Sequence, residues 1–226
     1  MKKKSLIYLF MLPIIVIMVA CENGKEPVNN SANGHEYVDL GLSVYWATCN
    51  IGANKSEDSG YYFAWGETEA KASYKWSTYK YCKGDENNMI KYCTSSKYGT
   101  VDNKTTLELS DDAANVNWGG NWRMPSKEDI EELYNGCTWT WTNKNGVYGY
   151  NIQSKKNGNS IFLPAAVERD DTIVDFGEIY GSYWVNSLDV NYSQHAHGLS
   201  FYSKEIECKF SWYRYCGLPI RPVLTK

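Results

Sequence analysis

The sequence predicts an α+β fold in which short strands and long loops surround two short helices. Nine tryptophans, nineteen tyrosines and six phenylalanines make 15% of the 226 residues aromatic, and eighteen glycines accompany them. This composition is typical of a loop-rich, strand-containing domain outside the cytoplasm and is unlike that of a helical bundle. One segment carries the signals for both helices, and several short stretches with alternating apolar and polar residues predict the strands.

The segment SDDAANVNWGGNWRMPSKEDIEEL predicts two helices joined by a tight corner. Ser110 is expected to cap the first helix, because two aspartates would then lie in the first turn, where the helix dipole favours negative charge. The pair Gly119-Gly120 is expected to end it. Ser126 and Asp129 form an S-x-x-D capping pair that predicts the start of the second helix.

Short runs of apolar or alternating residues predict eight strand regions. They are residues 37–48, 61–65, 138–142, 147–152, 161–164, 183–184, 199–202 and 220–223. Asn145-Gly146 is a strong signal for a hairpin turn. Residues 67–109 have little periodicity, and a loop of this length inside a compact domain is usually functional or cross-linked.

The N-terminus is predicted to direct export. Three lysines at positions 2–4 precede a 16-residue apolar run, which is shorter than the roughly 20 residues of a membrane span but suits a signal peptide over residues 1–20. The junction MVAC resembles a bacterial lipobox, in which Cys21 is acylated and anchors the protein to the membrane. An uncleaved anchor or an ordinary signal peptide remains the alternative. Residues 21–34 predict a flexible tether, and residues 35–226 a single domain.

Charge and motifs argue against several functional classes. Loss of residues 1–20 leaves 20 Lys and Arg against 26 Asp and Glu, a net charge of −6. No basic block exists, so no nucleic-acid partner is expected. The hydrolase signatures G-x-S-x-G and H-E-x-x-H are absent from the sequence. His195 and His197 would share one strand face, but only Asp189 is a possible third ligand, so exposed histidines are favoured and neither metal nor cofactor is predicted.

Six cysteines besides Cys21 form an even set in a chain with an export signal, which favours disulfides. Cys82 and Cys93 bracket a short polar loop, and Cys208 and Cys216 flank KFSWYRY. Cys49 and Cys137 remain as a third candidate pair. Small buried thiols are the alternative, which stays open above all for the third pair.

Seven ordered segments of this chain resemble a known family: VDLGLSVYWATCNIGA, YYFAWGET, YGTVDNKTTLEL, DDAANVNWGGNWRMP, CTWTWTNKNGVYGYN, NSIFLPAA and GLPIRPV. They are similar to Bacteroidetes lipoproteins with a Fibrobacter succinogenes major paralogous domain. The two-helix corner resembles formylglycine-generating-enzyme-like domains. The resemblance covers residues 35–226 and implies a C-type-lectin-like fold. In that fold a twisted antiparallel sheet has two flanking helices, and the first strand pairs with the last.

The resemblance also implies that the C-terminal region forms an exposed ligand face. Residues 189–215 carry many aromatic and polar side chains, which are typical of binding hot spots. The expected ligand-binding residues are Tyr192, His195, Tyr202, Lys209, Trp212, Tyr213 and Tyr215. Aromatic residues that merely cap the sheet are the alternative, which also stays open.

The function expected from these features is non-catalytic. A lipoprotein anchored to the bacterial outer membrane, at the cell surface or on its periplasmic face, would bind an extracellular glycan or protein. A structural or accessory subunit of a fimbrial or glycan-uptake assembly is the first alternative. A formylglycine-generating-type oxidase is the second, but it needs two closely placed reactive cysteines, and the spacing of Cys208 and Cys216 does not match. The calcium motifs Glu-Pro-Asn and Gln-Pro-Asp of sugar-binding lectins are absent.

Overall fold

The computed structural model describes residues 30–171 and 180–226. Within these ranges the chain forms strands, two α-helices and two short 3-10 turns at Trp76–Thr78 and Leu109–Asp111. In chain order the elements are β1 (Asn30–Ala32), β2 (His35–Val38), β3 (Val44–Ala47), α1 (Ala113–Trp118), β4 (Trp122–Arg123), α2 (Lys127–Gly136), β5 (Cys137–Lys144), β6 (Val147–Ser154), β7 (Ser160–Pro164), β8 (Tyr180–Leu188), β9 (His195–Tyr202), β10 (Glu205–Tyr213) and β11 (Val223–Thr225).

The described strands form three antiparallel sheets, so the protein is α+β with a predominance of β structure. One sheet has the order β1-β2-β3-β11-β4, and the other two are the meanders β5-β6-β7 and β8-β9-β10. The expectation of one twisted sheet is therefore wrong for the described residues. The pairing expected between an N-terminal strand and the last strand is present, because β3 pairs with β11 from Val44↔Thr225 to Trp46↔Val223.

The described strands begin before the expected domain boundary. Residues 30–32, which the sequence assigned to the tether, form β1 and pair with β2 in the register Asn30↔Tyr37 to Ala32↔His35. Trp122 Nε1 donates to the Ala32 carbonyl at 3.0 Å and fixes this strand to the domain. The predicted signal peptide and the lipidation site Cys21 lie outside the described residues.

Both predicted helices are present, but the first has a different cap. Asp112, and not Ser110, is the N-cap of α1, and its carboxylate accepts hydrogen bonds from Ala114 N at 2.9 Å and Asn115 N at 3.1 Å. The same carboxylate accepts from Met124 N at 2.9 Å, so one aspartate fixes α1 to the segment that leads into α2. Ser110 lies instead in the 3-10 turn before the helix. The buried carboxylate of Asp112 satisfies three backbone donors and so takes the place of a serine cap.

The capping pair of the second helix is confirmed. Ser126 Oγ accepts from Asp129 N at 3.2 Å, and Asp129 Oδ2 accepts from Ser126 N at 2.7 Å. Arg123 Nη1 lies 2.6 Å from Asp129 Oδ2 and compensates its charge. The corner between α1 and α2 needs left-handed backbone at Gly119 and Gly120, whose φ values are 71° and 58°.

The strand predictions succeed best for the β5–β6 hairpin. Asn145 and Gly146 have φ values of 53° and 94°, as a type I′ turn requires. The predicted strand at 61–65 is only an isolated bridge between Phe63 and Leu218. The last strand begins at Val223, not at residue 220, and β10 was not expected at all.

Two large hydrophobic clusters form the core. The first buries Trp65 and Trp184 together with much of the long 67–109 segment, and the second lies between the sheets and α2. The segment expected to be an irregular loop is therefore irregular but largely packed. Its tyrosines at positions 74, 79, 81, 92 and 98 are all buried.

The expected disulfides are not found, because all six described cysteines are free thiols. Cys208 packs against the second hydrophobic cluster while Cys216 lies in the first, so their side chains point into different parts of the core. The Cys82 thiol donates to the Trp76 carbonyl at 3.1 Å, and the Cys93 thiol donates to the Ser95 carbonyl at 3.2 Å. Cys137 is buried and Cys49 half-buried.

Candidate functional site

A chain of five touching aromatic rings lies where β9 begins and β10 ends. The ring of His195 is 4.4 Å from Tyr213 and 5.8 Å from Tyr192. Tyr213 in turn lies 5.7 Å from both Tyr215 and Trp76, and Trp76 lies 4.7 Å from Tyr215, all measured between ring centroids. We call these five residues the aromatic surface. Four of them were among the residues predicted to bind a ligand, and Trp76 was not.

The aromatic surface is accessible on one side. Tyr192 and Tyr213 are 51% and 41% exposed, while Trp76, His195 and Tyr215 are partly covered by their neighbours. The register of the β9–β10 hairpin places His195 directly opposite Tyr213, so both side chains point to the same face of the sheet. Exposed rings on a rigid strand pair lose little conformational entropy when a ligand covers them.

Arg214 holds together the three segments that supply these rings. Its side chain is fully buried, and Nε donates to the Tyr79 hydroxyl at 2.8 Å, next to the turn that carries Trp76. Nη1 donates at 2.8 Å to the carbonyl of Ser193, which lies between Tyr192 and His195. The guanidinium also lies 4.9 Å from the ring of Trp65, in the first hydrophobic cluster.

The same guanidinium fixes the long 67–109 segment. Nη1 donates to the Tyr92 carbonyl at 3.0 Å, and Nη2 donates to the Lys91 carbonyl at 3.0 Å. Asp102 adds a second anchor, because its carboxylate accepts from Tyr92 N and Cys93 N, both at 2.9 Å. Burial alone would raise the pKa of Asp102, but the backbone donors and Lys104 lower it below its ordinary value. The loop is thus held by a buried cation and a carboxylate instead of the expected disulfide.

Two of the predicted binding residues lie far from the aromatic surface. Tyr202 is at the opposite end of β9, seven residues from His195, which corresponds to roughly 23 Å along a strand. Its hydroxyl donates to Glu205, the first residue of β10. Lys209 pairs with Glu131 of α2, with 3.0 Å between Nζ and Oε1. The seven predicted residues therefore do not form one continuous patch.

Trp212 is not part of the aromatic surface. It follows Ser211 on β10 and precedes Tyr213, so its ring points to the opposite sheet face from Tyr213. There it lies 3.6 Å from the ring of Phe210 and 6.1 Å from that of Tyr180, between centroids. It also packs against the first hydrophobic cluster. Trp212 is nevertheless only partly buried and lines the cleft next to the aromatic surface, so its role in ligand binding stays a prediction.

A cleft of about 290 Å³ adjoins the aromatic surface. Its lining combines His195 and Tyr213 with Glu168 and Asp170. Burial raises the pKa of Glu168 above its ordinary value and lowers that of His195, so both groups are shifted towards their neutral forms. The buried Nε2 of His195 and Oε2 of Glu168 have no hydrogen-bond partner among the described residues.

Burial also determines the pKa values of the other cysteine and histidine residues considered for a site. Burial raises the pKa of the Cys208 thiol to about 11 and that of Cys216 to about 12, so both are protonated at neutral pH. Burial also lowers the pKa of His197, which lies opposite Ser211 in the β9–β10 register. Within residues 30–171 and 180–226, no group of three or more His, Cys, Asp and Glu side chains is arranged to hold a metal ion.

No helix in the described part of the chain has the length and apolar content needed to cross a membrane. No family model, no curated protein and no solved structure matches this chain. The chemistry of the site residues is therefore the basis for assigning a function.

Sequence reasoning missed Trp76 and the role of Arg214. Trp76 lies in a polar stretch without periodicity, and its contact with β10 spans more than 130 residues of chain. The only local signal was the density of aromatic residues in KWSTYKYC, which resembles that of the SWYRYC segment it contacts. Arginine is almost never fully buried, so Arg214 had no sequence signal of its own.

Proposed function

We propose that this protein is a non-catalytic lipoprotein that binds an extracellular glycan or protein through the aromatic surface. The observation that carries the proposal is the continuous contact among five rings, of which Tyr192 and Tyr213 are largely exposed. Exposed tyrosine and tryptophan side chains give large contact areas at a low entropic cost, and they dominate protein and sugar recognition surfaces.

The rigidity of the surface supports the same proposal. Arg214 hydrogen-bonds to residues on two of the segments that supply rings and belongs to the third, so no ring depends on an unsupported loop. A pre-organised surface of this kind loses less free energy on association than a flexible one. The rings would then contact a ligand without a large rearrangement of the free protein.

Two structural features agree with the proposed family. The β3–β11 pairing brings the two ends of the domain together, and the two-helix corner carries its glycine pair in left-handed conformation. Both are expected of a C-type-lectin-like fold. The oxidase alternative is disfavoured because the protonated thiols of Cys208 and Cys216 lie in different clusters of the core.

The proposed anchor is the lipid on Cys21, which would place the domain on the outer membrane. Only eight residues separate Cys21 from β1, so the domain would remain close to the bilayer surface. Replacement Cys21→Ser is expected to release the protein from membranes or to leave it unprocessed. Membrane retention at the mature size would contradict the lipid anchor.

The binding surface can be tested with two matched tyrosines. Tyr213 and Tyr202 are 41% and 42% exposed and lie at opposite ends of the same hairpin. We expect Tyr213→Ala to reduce ligand binding by roughly thirtyfold, the effect of about 2 kcal/mol for a central hot spot, and Tyr202→Ala to leave it unchanged. Both variants would be compared on a glycan array and in pull-downs from envelope extracts.

The two assays separate glycan from protein ligands, and thermal unfolding of both variants provides the stability control. Equal binding by the two folded variants would contradict the proposed surface. Stable co-purification with an outer-membrane complex that survives Tyr213→Ala would favour the accessory-subunit alternative.

A further inference from the structure

A second candidate site lies beside the outer face of the β5-β6-β7 sheet. The face of this sheet that points away from the second hydrophobic cluster forms one wall of a groove of about 620 Å³. Val38, Thr48 and Ser56 form the other wall. A volume of this size is within the range of small-molecule and oligosaccharide sites.

The sheet wall presents a regular array of neutral polar side chains. The strand register places Thr140 beside Asn151 and Asn151 beside Phe162, so these three side chains form one row across the sheet. Thr142 and Ser160 extend the array along β5 and β7. Phe162 is only 5% exposed and forms the floor, close to Gly149, where a Cβ atom would lie 2.8 Å from the Phe162 ring.

These polar groups are not used by the protein itself. The side chains of Thr140, Thr142, Asn151 and Ser160 make no hydrogen bond to another described residue, although each carries donors and acceptors. Because these side chains are exposed or half-buried, water satisfies them in the free protein, and a ligand that offers equivalent hydrogen bonds can replace that water. Here the hydroxyl and amide groups face the groove, where they are free to bind a ligand.

The one cation of the groove is already compensated. Lys144 Nζ donates to Ser56 Oγ at 2.7 Å and lies 4.0 Å from Glu57 Oε2. Asn145 Nδ2 donates to Glu57 Oε1 at 2.7 Å, and the Ser56 hydroxyl donates to Oε2 at 2.9 Å. An anionic ligand would have to compete with Glu57 for the ammonium group. The remaining lining is neutral, which favours an uncharged ligand.

Arg221 fixes the wall opposite the sheet. Its buried guanidinium donates to the Thr48 carbonyl at 2.9 Å, to Asn50 Oδ1 at 2.7 Å and to the Ser56 carbonyl at 3.4 Å. Lys144 and Asn145, at the tip of the β5–β6 hairpin, then join this wall to the sheet. The groove is therefore closed at one end by hydrogen bonds and has two rigid sides.

We propose that this groove binds a neutral, polyhydroxylated ligand, such as an uncharged oligosaccharide, through Thr140, Thr142, Asn151 and Ser160. The site is separate from the aromatic surface and does not depend on the function proposed for it. Each sugar hydroxyl can donate one and accept two hydrogen bonds, which matches an array of hydroxyl and amide groups without net charge.

The test uses defined probes and a matched pair of threonines. Neutral hexasaccharides of glucose, xylose, mannose and N-acetylglucosamine would be titrated into isotopically labelled protein, with hexagalacturonate as the anionic probe. We expect at least one neutral probe to shift the amide resonances of Thr140, Asn151 and Ser160. Thr140→Val and Asn151→Ala should each weaken that binding roughly 3- to 10-fold, the effect of one neutral hydrogen bond.

Thr138→Val is the control, because Thr138 is exposed on the same strand face but outside the groove. Tyr213→Ala is the second control and should leave binding in the groove unchanged. The proposal is overturned if no neutral hexasaccharide shifts these resonances, if hexagalacturonate shifts them equally, or if Thr138→Val weakens binding as much as Thr140→Val. Binding lost in Tyr213→Ala but kept in Asn151→Ala would overturn it too, and would support the aromatic surface instead.

Discussion

Arg214 and Arg221 are seven residues apart, and each is the centre of a different region of the molecule. Both side chains are almost completely buried, at 0% and 1% exposure, and all of their hydrogen bonds go to neutral acceptors. Arg214 joins a long irregular segment to the β8-β9-β10 sheet beneath the aromatic surface. Arg221 joins the short segment after β3 to the end of the five-stranded sheet, beside the polar groove.

The difference lies in how many segments of the chain each arginine joins and what surrounds it. Arg214 contacts groups more than 120 residues away, between Trp65, Tyr79 and Tyr92. The hydrogen bonds of Arg221 all go to one segment, residues 47–56, which is 165 to 174 residues away, and burial lowers the pKa of Arg221 below the ordinary value. The first arginine organises an aromatic surface and the second a polar one. A buried guanidinium can thus replace regular secondary structure where several loops must be held in register.

The largest expected effect comes from removing Arg214. Arg214→Met fills similar space but leaves the Tyr79 hydroxyl and three carbonyls without their donor. Buried unsatisfied groups cost about 1–3 kcal/mol each, so we expect a loss of about 4 kcal/mol or more in the free energy of unfolding. Thermal or urea unfolding measures it. Arg169→Met is the control, because Arg169 is exposed, and its loss should cost about 1 kcal/mol or less.

An unchanged melting temperature in Arg214→Met would contradict the central role of this arginine. If Arg169→Met also lost much of the free energy of unfolding, the number of arginines, and not the buried hydrogen bonds, would determine stability.

The independence of the two regions can be tested with Arg221→Lys and Arg214→Lys. Lysine keeps the charge but lacks the planar fork, so we expect each variant to lose about 2 kcal/mol. In hydrogen exchange, Arg221→Lys should speed exchange in residues 47–58 and leave residues 89–93 unchanged. Arg214→Lys should do the reverse. Equal acceleration in both segments would show that the two regions open together.

A smaller loss of stability is expected in acid. It should arise in the Arg214 region, where the carboxylate of Asp102 lies. Because the folded-state pKa of Asp102 is lowered, its contribution to stability is present above the ordinary pKa of about 3.9 and is lost as the pH falls through the lowered value. Urea unfolding of Asp102→Asn at pH 7, 5, 4 and 3 should show lower stability at pH 7 and a shallower decline below pH 4. A decline as steep as that of the unaltered protein would exclude Asp102 as a source of acid sensitivity.

The parts of the fold that the sequence predicted correctly have local causes. Ser126 with Asp129 and Asn145 with Gly146 each determine structure within three or four residues, so their signals are readable without tertiary information. The β10 strand has no such signal. It is an edge strand with a register shift between Glu207 and Phe210, which breaks the alternation that identifies a strand.

The candidate site was predictable only in part for the same reason. Tyr192, His195, Tyr213 and Tyr215 lie close together in sequence, and the density of aromatic residues there was visible. Trp76 and the two buried arginines depend on contacts across more than 100 residues, which residue type and spacing do not encode. The polar groove was missed because an exposed threonine pattern in a strand is also the ordinary pattern of a solvent-facing surface.

The position of β11 has a consequence for how the chain acquires its structure. This strand lies between β3 and β4 in its sheet, and both buried arginines precede it by at most eleven residues. Until residues 214–225 have left the ribosome, the sheet lacks the strand that joins β3 to β4, and the two regions lack their central cations. Folding is therefore expected to wait for the synthesis of residues 214–225, since the contacts that these residues make are long-range.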